Sequence, residues 1–188
     1  NITEHYNASP SSVTETCDGV VQCPNGDDER LCNIQCPQNC SSEDLSIVCI
    51  DSPTNDEHVM DISKYFHYLV SLNISKSGIE EVSGSSLKFL PNIKVLDISN
   101  NKLVSVKRNT FVNLNFFTQL VIKGNTDLLS IEPGAFKNLK MDTLSFHRCG
   151  LMSIQKETFK GLKLKELGQS QNSIRTVSDI AFRDVYVH

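Results

Sequence analysis

Residues 93–116, IKVLDISNNKLVSVKRNTFVNLNF, set a pattern that this chain repeats. The same order of apolar and polar residues begins at positions 69, 93, 117, 141 and 164, so five copies follow one another every 23 or 24 residues. The other four copies read LVSLNISKSGIEEVSGSSLKFLPN, FTQLVIKGNTDLLSIEPGAFKNLK, MDTLSFHRCGLMSIQKETFKGLK and LKELGQSQNSIRTVSDIAFRDVYV. A period of this length predicts a repeat architecture for residues 69–187.

Near its start, each of the first four copies carries two apolar residues separated by one residue, which is polar in all but the third copy. This alternation is the period of a short strand with one buried face. In the first four copies the pairs are Leu72 and Ile74, Leu96 and Ile98, Leu120 and Ile122, and Leu144 and Phe146. One strand from each copy is therefore expected to lie beside the next in a parallel sheet.

The position three residues beyond each pair holds Asn101, Asn125 and Asn172 in three of the copies. An asparagine there can satisfy backbone groups of the turn that leaves the strand. Ser77 takes this position in the first copy. Cys149 takes it in the fourth, where we expect a buried free thiol rather than a reactive one.

The rest of each copy carries the chain back, and its apolar residues also fall in columns. One column is an aromatic-rich spine of Leu87, Phe111, Phe136, Phe159 and Phe182. The third copy has one extra residue between Asn125 and Leu128 and a shorter segment after it, so the register is expected to recover. Gln169 stands where the fifth copy needs an inward apolar residue, and burying an unpaired amide costs roughly 1 to 3 kcal/mol.

The five copies resemble a leucine-rich repeat array, which would occupy residues 69–188. The resemblance implies an α/β-type solenoid, a horseshoe whose parallel sheet lines the concave side. No copy can bury its apolar residues alone, so each is expected to be stabilised by its neighbours.

Cysteines and glycosylation motifs indicate an extracellular chain. Six of the seven cysteines lie between Cys17 and Cys49, a density typical of oxidising compartments. Sequons for N-glycosylation begin at Asn1, Asn7, Asn39 and Asn73. We therefore expect a protein on the extracellular side of the plasma membrane or a secreted one.

Composition excludes several classes of function. A net charge of -4 gives no basic footprint, so nucleic acid is not an expected partner. No apolar run approaches the roughly 20 residues that span a bilayer, so any membrane attachment is expected in segments absent from this chain. The five histidines form no metal-binding or nucleophile–base spacing, and there is no glycine-rich phosphate loop, so no enzymatic activity is expected.

Two segments precede the cap and the repeats. Residues 1–16 are polar, lack an apolar period and predict a flexible glycosylated segment. Residues 17–32, CDGVVQCPNGDDERLC, resemble the C-terminal half of a low-density-lipoprotein (LDL) receptor class A module. That resemblance implies a calcium site with oxygen ligands from Asp18, Val20, Asp28 and Glu29. Gln22 replaces an expected Asp and three upstream cysteines are missing, so we expect weak affinity; the alternative is an acidic disulfide-closed loop without calcium.

Residues 33–68 resemble the disulfide-bonded N-terminal cap of extracellular leucine-rich repeat proteins, which covers an open end of the solenoid. The residues behind this resemblance are Cys36, Cys40 and Cys49, with Leu45, Ile47 and Ile50 as strand residues and Val59 to Phe66 as the return. Ser41 and Ser42 occupy the stretch where the family has a further cysteine.

Family precedent implies disulfides between Cys17 and Cys32 and between Cys40 and Cys49. Cys23 and Cys36 have then each lost their usual partner. They either pair with each other, joining the small module to the cap, or both stay reduced.

The outward residues of the strands form the candidate binding surface of the array. The resemblance places them on the concave face, which suits a peptide or protein ligand rather than a small molecule. The candidate ligand-binding residues are Gln119, Val121, Lys123, Thr143, Ser145 and His147. The alternative is that the five repeats are a spacer, and a glycan on Asn73 would partly block the same face.

A class A module followed by capped repeats resembles the ectodomain of leucine-rich-repeat G-protein-coupled receptors of the relaxin receptor type. The resemblance implies the extracellular ligand-recognition region of such a receptor. The alternative is a secreted or singly anchored recognition protein acting in adhesion or innate immunity. Because no C-terminal cap covers the last copy, the protein is expected to continue beyond His188.

Overall fold

The computed structural model describes residues 40–43, 45–53, 55–65, 69–112 and 114–187. All of them lie in one unit, Pro37–His188. The predicted calcium ligands at 18, 20, 28 and 29, the cysteines at 17, 23, 32 and 36 and the sequons at 1, 7 and 39 lie outside the described residues.

Short strands dominate the described part of the chain. In chain order they are β1 (Ser41–Glu43), β2 (Ser46–Val48), β3 (Ser71–Asn73), β4 (Val95–Asp97), β5 (Ser105–Val106), β6 (Gln119–Val121), β7 (Ser130–Ile131), β8 (Thr143–Ser145), β9 (Ser153–Ile154), β10 (Lys163–Leu164), β11 (Glu166–Gly168), β12 (Thr176–Val177) and β13 (Tyr186–Val187). The helices within the described ranges are α1 (Asp56–Tyr65) and α2 (Gly84–Leu87).

One strand from each repeat joins a seven-stranded sheet in the order β1-β2-β3-β4-β6-β8-β11. β1 pairs with β2 in antiparallel fashion and every later pair is parallel. The central leucines stand in register, Leu72 beside Leu96, Leu120, Leu144 and Leu167 in turn. The predicted parallel solenoid is therefore confirmed.

The core consists of columns that run from repeat to repeat. Leu72, Leu96, Leu120 and Leu144 are fully buried. Phe111 stacks on Phe136 at 5.6 Å between ring centroids, Phe136 on Phe159 at 5.8 Å and Phe159 on Phe182 at 5.1 Å. The predicted aromatic spine is confirmed, and each ring covers a face of the next that would otherwise meet water.

The turns that follow the strands are held by hydrogen bonds from a column of asparagine side chains. Asn101 Oδ1 accepts hydrogen bonds from the backbone N–H of Ser77 (2.8 Å) and Ile79 (3.2 Å), and its Nδ2 donates to the carbonyls of Ile74 (2.9 Å) and Ile98 (3.0 Å). One side chain thus satisfies backbone groups of two successive repeats, as the sequence predicted.

The replacements in this column behave differently. In the first repeat, the Ser77 hydroxyl donates to the carbonyl of Cys49 at 2.7 Å, so the column continues into the cap. In the fourth, the Cys149 thiol is buried and lies 3.5 Å from the carbonyl of Ile122. Burial raises the pKa of this thiol, against the opposing effect of the backbone N–H groups of Asn125 and Gly124. Cys149 is a free buried cysteine, as expected.

Gly150 accommodates the extra residue of the third repeat. A Cβ at Gly150 would overlap the carbonyl oxygen of Thr126, which belongs to the inserted stretch. Leu128 is nevertheless fully buried, and β7 pairs with β5 in register. The register therefore recovers within the same repeat, as predicted.

The cap contains a disulfide between Cys40 and Cys49, which confirms the predicted pairing. Ile47 is a buried residue of β2, but the prediction that Leu45 and Ile50 are also strand residues was wrong. Leu45 lies in the turn between β1 and β2, and Ile50 follows the end of β2, so both are exposed.

The return segment of the cap contains helix α1. Asn55 Oδ1 accepts a hydrogen bond from the N–H of His58 at 2.9 Å, which satisfies a free donor at the start of this helix. Val59 and Ile62 are buried one turn apart. Asp56 accepts hydrogen bonds from the backbone N–H and the hydroxyl of Ser83, which ties the helix to the first repeat.

The fifth repeat departs from the predicted burial. Gln169 is exposed, so the expected burial of its amide was wrong. Val177 is also exposed, and so is Phe182, although the pattern placed Phe182 in the aromatic-rich spine. Among the described residues only the fourth repeat packs against this one, so its outer side has no cover.

Replacing Asn101 by Ala tests the amide column. The variant removes the side-chain partner of the N–H groups of Ser77 and Ile79 and of the carbonyl of Ile74, and we expect the free energy of unfolding to fall by roughly 2 to 4 kcal/mol. Chemical denaturation measures the loss, with Asn92→Ala at an exposed turn as the matched control. Equal losses in the two variants would contradict the role assigned to Asn101.

Candidate functional site

The candidate binding residues lie together on two neighbouring strands. Gln119 and Val121 belong to β6, and they stand in register with Thr143 and Ser145 of β8. The central residues of these strands, Leu120 and Leu144, point into the core, so the flanking side chains point to the opposite face. We call the surface formed by these four residues with Lys123 and His147 the concave patch.

His147 is held in place by the fifth repeat. Its Nδ1 accepts a hydrogen bond from the backbone N–H of Ser170 at 3.0 Å and lies 2.6 Å from the Ser170 hydroxyl. A Cβ at Gly168 would overlap the imidazole, so the ring lies directly over this glycine. The ring is thereby fixed along the sheet instead of extending freely into solvent.

Sequence reasoning missed the roles of Gly168 and Ser170. The glycine at position 168 leaves room for the neighbouring imidazole of His147. A glycine inside a predicted strand is a usable signal, because it often marks the close approach of another group.

Charges of both signs lie in or beside the concave patch. Lys123 is exposed and Asp97, in the neighbouring strand β4, is half-buried. Neither has an ion-pair partner within the described residues. Asp97 Oδ1 instead accepts a hydrogen bond from the N–H of Ser99 at 2.9 Å, and no positively charged side chain of the described residues compensates its charge. An unpaired cation and an unpaired anion can each contact complementary groups of a ligand.

Asn73, the described sequon, lies on the same face. Its side chain is half-buried, and Oδ1 accepts a hydrogen bond from the N–H of Ser75 at 3.0 Å. Strand β4 separates β3 from β6 in the sheet, so Asn73 lies about 10 Å from the concave patch.

Pockets, metal-ligand groups and membrane-spanning helices offer little support for another kind of site in the described part of the chain. One depression there has a volume of about 550 Å³ and is open to solvent beside Arg148, Gly150 and Gln171. Within the same residues, no group of three His, Cys, Asp or Glu side chains is placed to hold a metal ion. The described helices include none that is both long and apolar enough to cross a membrane.

Comparison with known proteins identifies the repeats. Residues 67–126 match the leucine rich repeat family, and residues 130–187 match the BspA type leucine rich repeat region. A similar curated protein is the Homo sapiens "Leucine-rich repeats and immunoglobulin-like domains protein 1", 29% identical over 118 residues. The match covers 62% of this chain and 11% of that protein.

Among solved structures, a similar chain comes from the "Crystal structure of TLR13-ssRNA13 complex". The match covers 71% of this chain and 27% of that chain, with 16% sequence identity and a TM-score of 0.37. A likeness this distant supports no inference about ligands.

The substitution Gly168→Ala tests the placement of His147. We expect the added methyl group to displace the imidazole, so that the Ser170 amide loses its acceptor and exchanges its hydrogen faster with solvent. We expect His147→Ala to speed hydrogen exchange at the Ser170 amide in the same way. The control Ser173→Ala should leave this exchange unchanged. Unchanged exchange at Ser170 in both variants would contradict the described contact.

Proposed function

We propose that the concave patch binds a peptide or protein ligand outside the cell, since residues 67–126 and 130–187 match leucine rich repeat models. The observation that carries the proposal is the patch itself: four side chains on adjacent strands and two just beyond the strand ends, with buried leucines beneath them. Because the strands are fixed by their neighbours, little conformational freedom is lost when a ligand binds there.

The chemistry of the patch favours an extended polypeptide ligand. Thr143, Ser145 and Gln119 offer hydrogen-bonding groups, Val121 offers an apolar contact, and Lys123 offers an unpaired charge. A shallow surface of this mixed kind suits contacts spread along a chain, while small molecules usually need a concave pocket.

The extracellular location is supported by two features. The disulfide between Cys40 and Cys49 requires an oxidising compartment to persist. The Asn73 sequon lies on an accessible face, where a glycan can be attached.

We propose that the whole protein is a G-protein-coupled receptor of the leucine-rich-repeat type. Support comes from the order of the segments, since residues 17–32 resemble an LDL receptor class A module and precede a capped repeat array. The second candidate is a secreted or singly anchored recognition protein. The name of the human relative, which joins leucine-rich repeats to immunoglobulin-like domains, favours that candidate.

Sequencing the transcript beyond residue 188 distinguishes the two candidates. A receptor encodes seven apolar segments of about 20 residues each. Immunoglobulin-like domains with one apolar segment, or a stop codon without any, would contradict the receptor proposal while leaving ligand binding by the repeats intact.

The substitution Thr143→Arg tests ligand binding at the concave patch. A peptide library displayed on phage is selected on the full 188-residue chain, and the dissociation constants of the selected peptides are measured by biolayer interferometry. We expect Thr143→Arg to weaken binding by about 10-fold or more, because the long side chain obstructs the centre of the patch. The control is Thr176→Arg on β12, outside the patch.

Two results would contradict this proposal. One is a selection that enriches no peptide. The other is a set of peptides whose affinity falls with Thr176→Arg and not with Thr143→Arg. Either result favours the alternative that these repeats are a spacer.

We also propose a weak calcium site at residues 17–32, with Asp18, Val20, Asp28 and Glu29 as its oxygen ligands. This proposal comes from the sequence alone, since these residues lie outside the described part of the chain. Calorimetric titration of the whole chain with calcium chloride tests it, with an expected dissociation constant at or above about 10⁻³ M. No heat of calcium binding, or the same heat in the variant Asp28→Asn/Glu29→Gln, would contradict the proposed site.

A further inference from the structure

We propose that two copies of this chain associate through an exposed apolar stripe formed by Val104, Leu129 and Met152. In this arrangement, Glu80 of each copy faces Arg175 of the other. The stripe lies on the return segments, away from the concave patch.

The stripe is continuous across three repeats. Val104, Leu129 and Met152 are 53%, 52% and 43% exposed. The N–H of Leu129 donates to the carbonyl of Val104 at 3.0 Å, and β9 lies next to β7 in the following repeat. Val104 and Leu129 therefore lie side by side about 5 Å apart, and Met152 takes the equivalent position in the next repeat.

The fold itself does not require apolar residues at these positions. Each stripe residue directly follows a buried leucine, namely Leu103, Leu128 or Leu151, and that leucine supplies the contact with the core. Single exposed apolar side chains are ordinary on protein surfaces, but an aligned row marks a candidate interface. The next residues, Ser105, Ser130 and Ser153, are small and half-buried, which allows a partner to approach closely.

Charges of opposite sign stand at the two ends of the stripe. Glu80 takes the equivalent position in the first repeat and Arg175 in the fifth, where the N–H of Arg175 donates to the carbonyl of Met152 at 2.8 Å. Both side chains are exposed, and within the described residues neither has an ion-pair partner. The column therefore reads acidic, apolar, apolar, apolar, basic.

This order is complementary to itself when one copy is turned end to end. A two-fold axis through Leu129 places Leu129 against its equivalent, Val104 against Met152, and Glu80 against Arg175. The dimer then contains two equivalent ion pairs between Glu80 and Arg175. A partner of a different sequence would need the reverse order of charges, which this chain already supplies.

The expected association is weak and depends on concentration. Three half-exposed side chains contribute far less than the roughly 800 Å² that each partner buries in a stable complex. Because the concave patch is formed by other columns, the pair presents two open patches, and a ligand with two binding segments could engage both.

Charge reversal in single and mixed variants tests the proposal by sedimentation velocity of the whole chain from about 5 to about 300 µM. We expect the unaltered chain to self-associate and Glu80→Arg and Arg175→Glu each to weaken association by about 10-fold or more. Mixing the two variants in equal amounts should restore association, because Arg at position 80 then faces Glu at position 175. A misfolded variant could not produce this recovery.

The apolar stripe has its own matched pair of variants. Leu129→Asp should abolish self-association, while Phe116→Asp, at a 57% exposed residue outside the stripe, should leave it unchanged. Three results would overturn the proposal: no self-association at the highest concentration, no recovery on mixing the charge variants, or equal losses with Leu129→Asp and Phe116→Asp. None of these would affect the proposed ligand binding by the concave patch.

Discussion

Each repeat buries the apolar side chains of the one before it, and the other features of the structure depend on this contact. A strand of three residues has one inward side chain, which cannot be hidden within its own repeat. Leu72, Leu96, Leu120 and Leu144 are fully buried because the neighbouring repeats lie above and below them. The fifth repeat shows the converse: among the described residues it is covered on one side only, and Val177 and Phe182 are exposed.

Stacking of this kind also fixes the position of every outward side chain. The Asn101 amide joins the first and second repeats, Asn125 the second and third, and Asn172 the fourth and fifth, so these side chains hold neighbouring turns in register. Gln119 and Thr143 therefore stand side by side without any direct bond between them. The concave patch and the apolar stripe are two faces of the same register, one formed by the strands and the other by the return segments.

Features that recur at the repeat period could be predicted from the sequence, and features specific to one repeat could not. The leucine column, the phenylalanine spine and the asparagine column were predicted because the same chemistry recurs in most of the copies. The left-handed turn residues were missed, because Lys76, Asn100, Gly124, Arg148 and Gln171 share a positive φ but no side-chain chemistry. The positions of Leu45, Ile50 and Gln169 were predicted wrongly, since their exposure depends on the end of a strand or of the array. The contact of His147 with Gly168 joins different columns of two repeats, which a column-by-column reading of the sequence does not reveal.

The central claim is that stability comes from contacts between adjacent repeats. Double-mutant cycles on the phenylalanine spine test it most directly, by measuring the free energy of unfolding for Phe→Leu substitutions singly and in pairs. The account predicts a coupling energy of about 0.5 to 1.5 kcal/mol between Phe136 and Phe159, whose rings are 5.8 Å apart. It predicts additivity within about 0.5 kcal/mol for Phe111 and Phe159, which have Phe136 between them. Equal coupling in the two pairs, or none in either, would contradict the account.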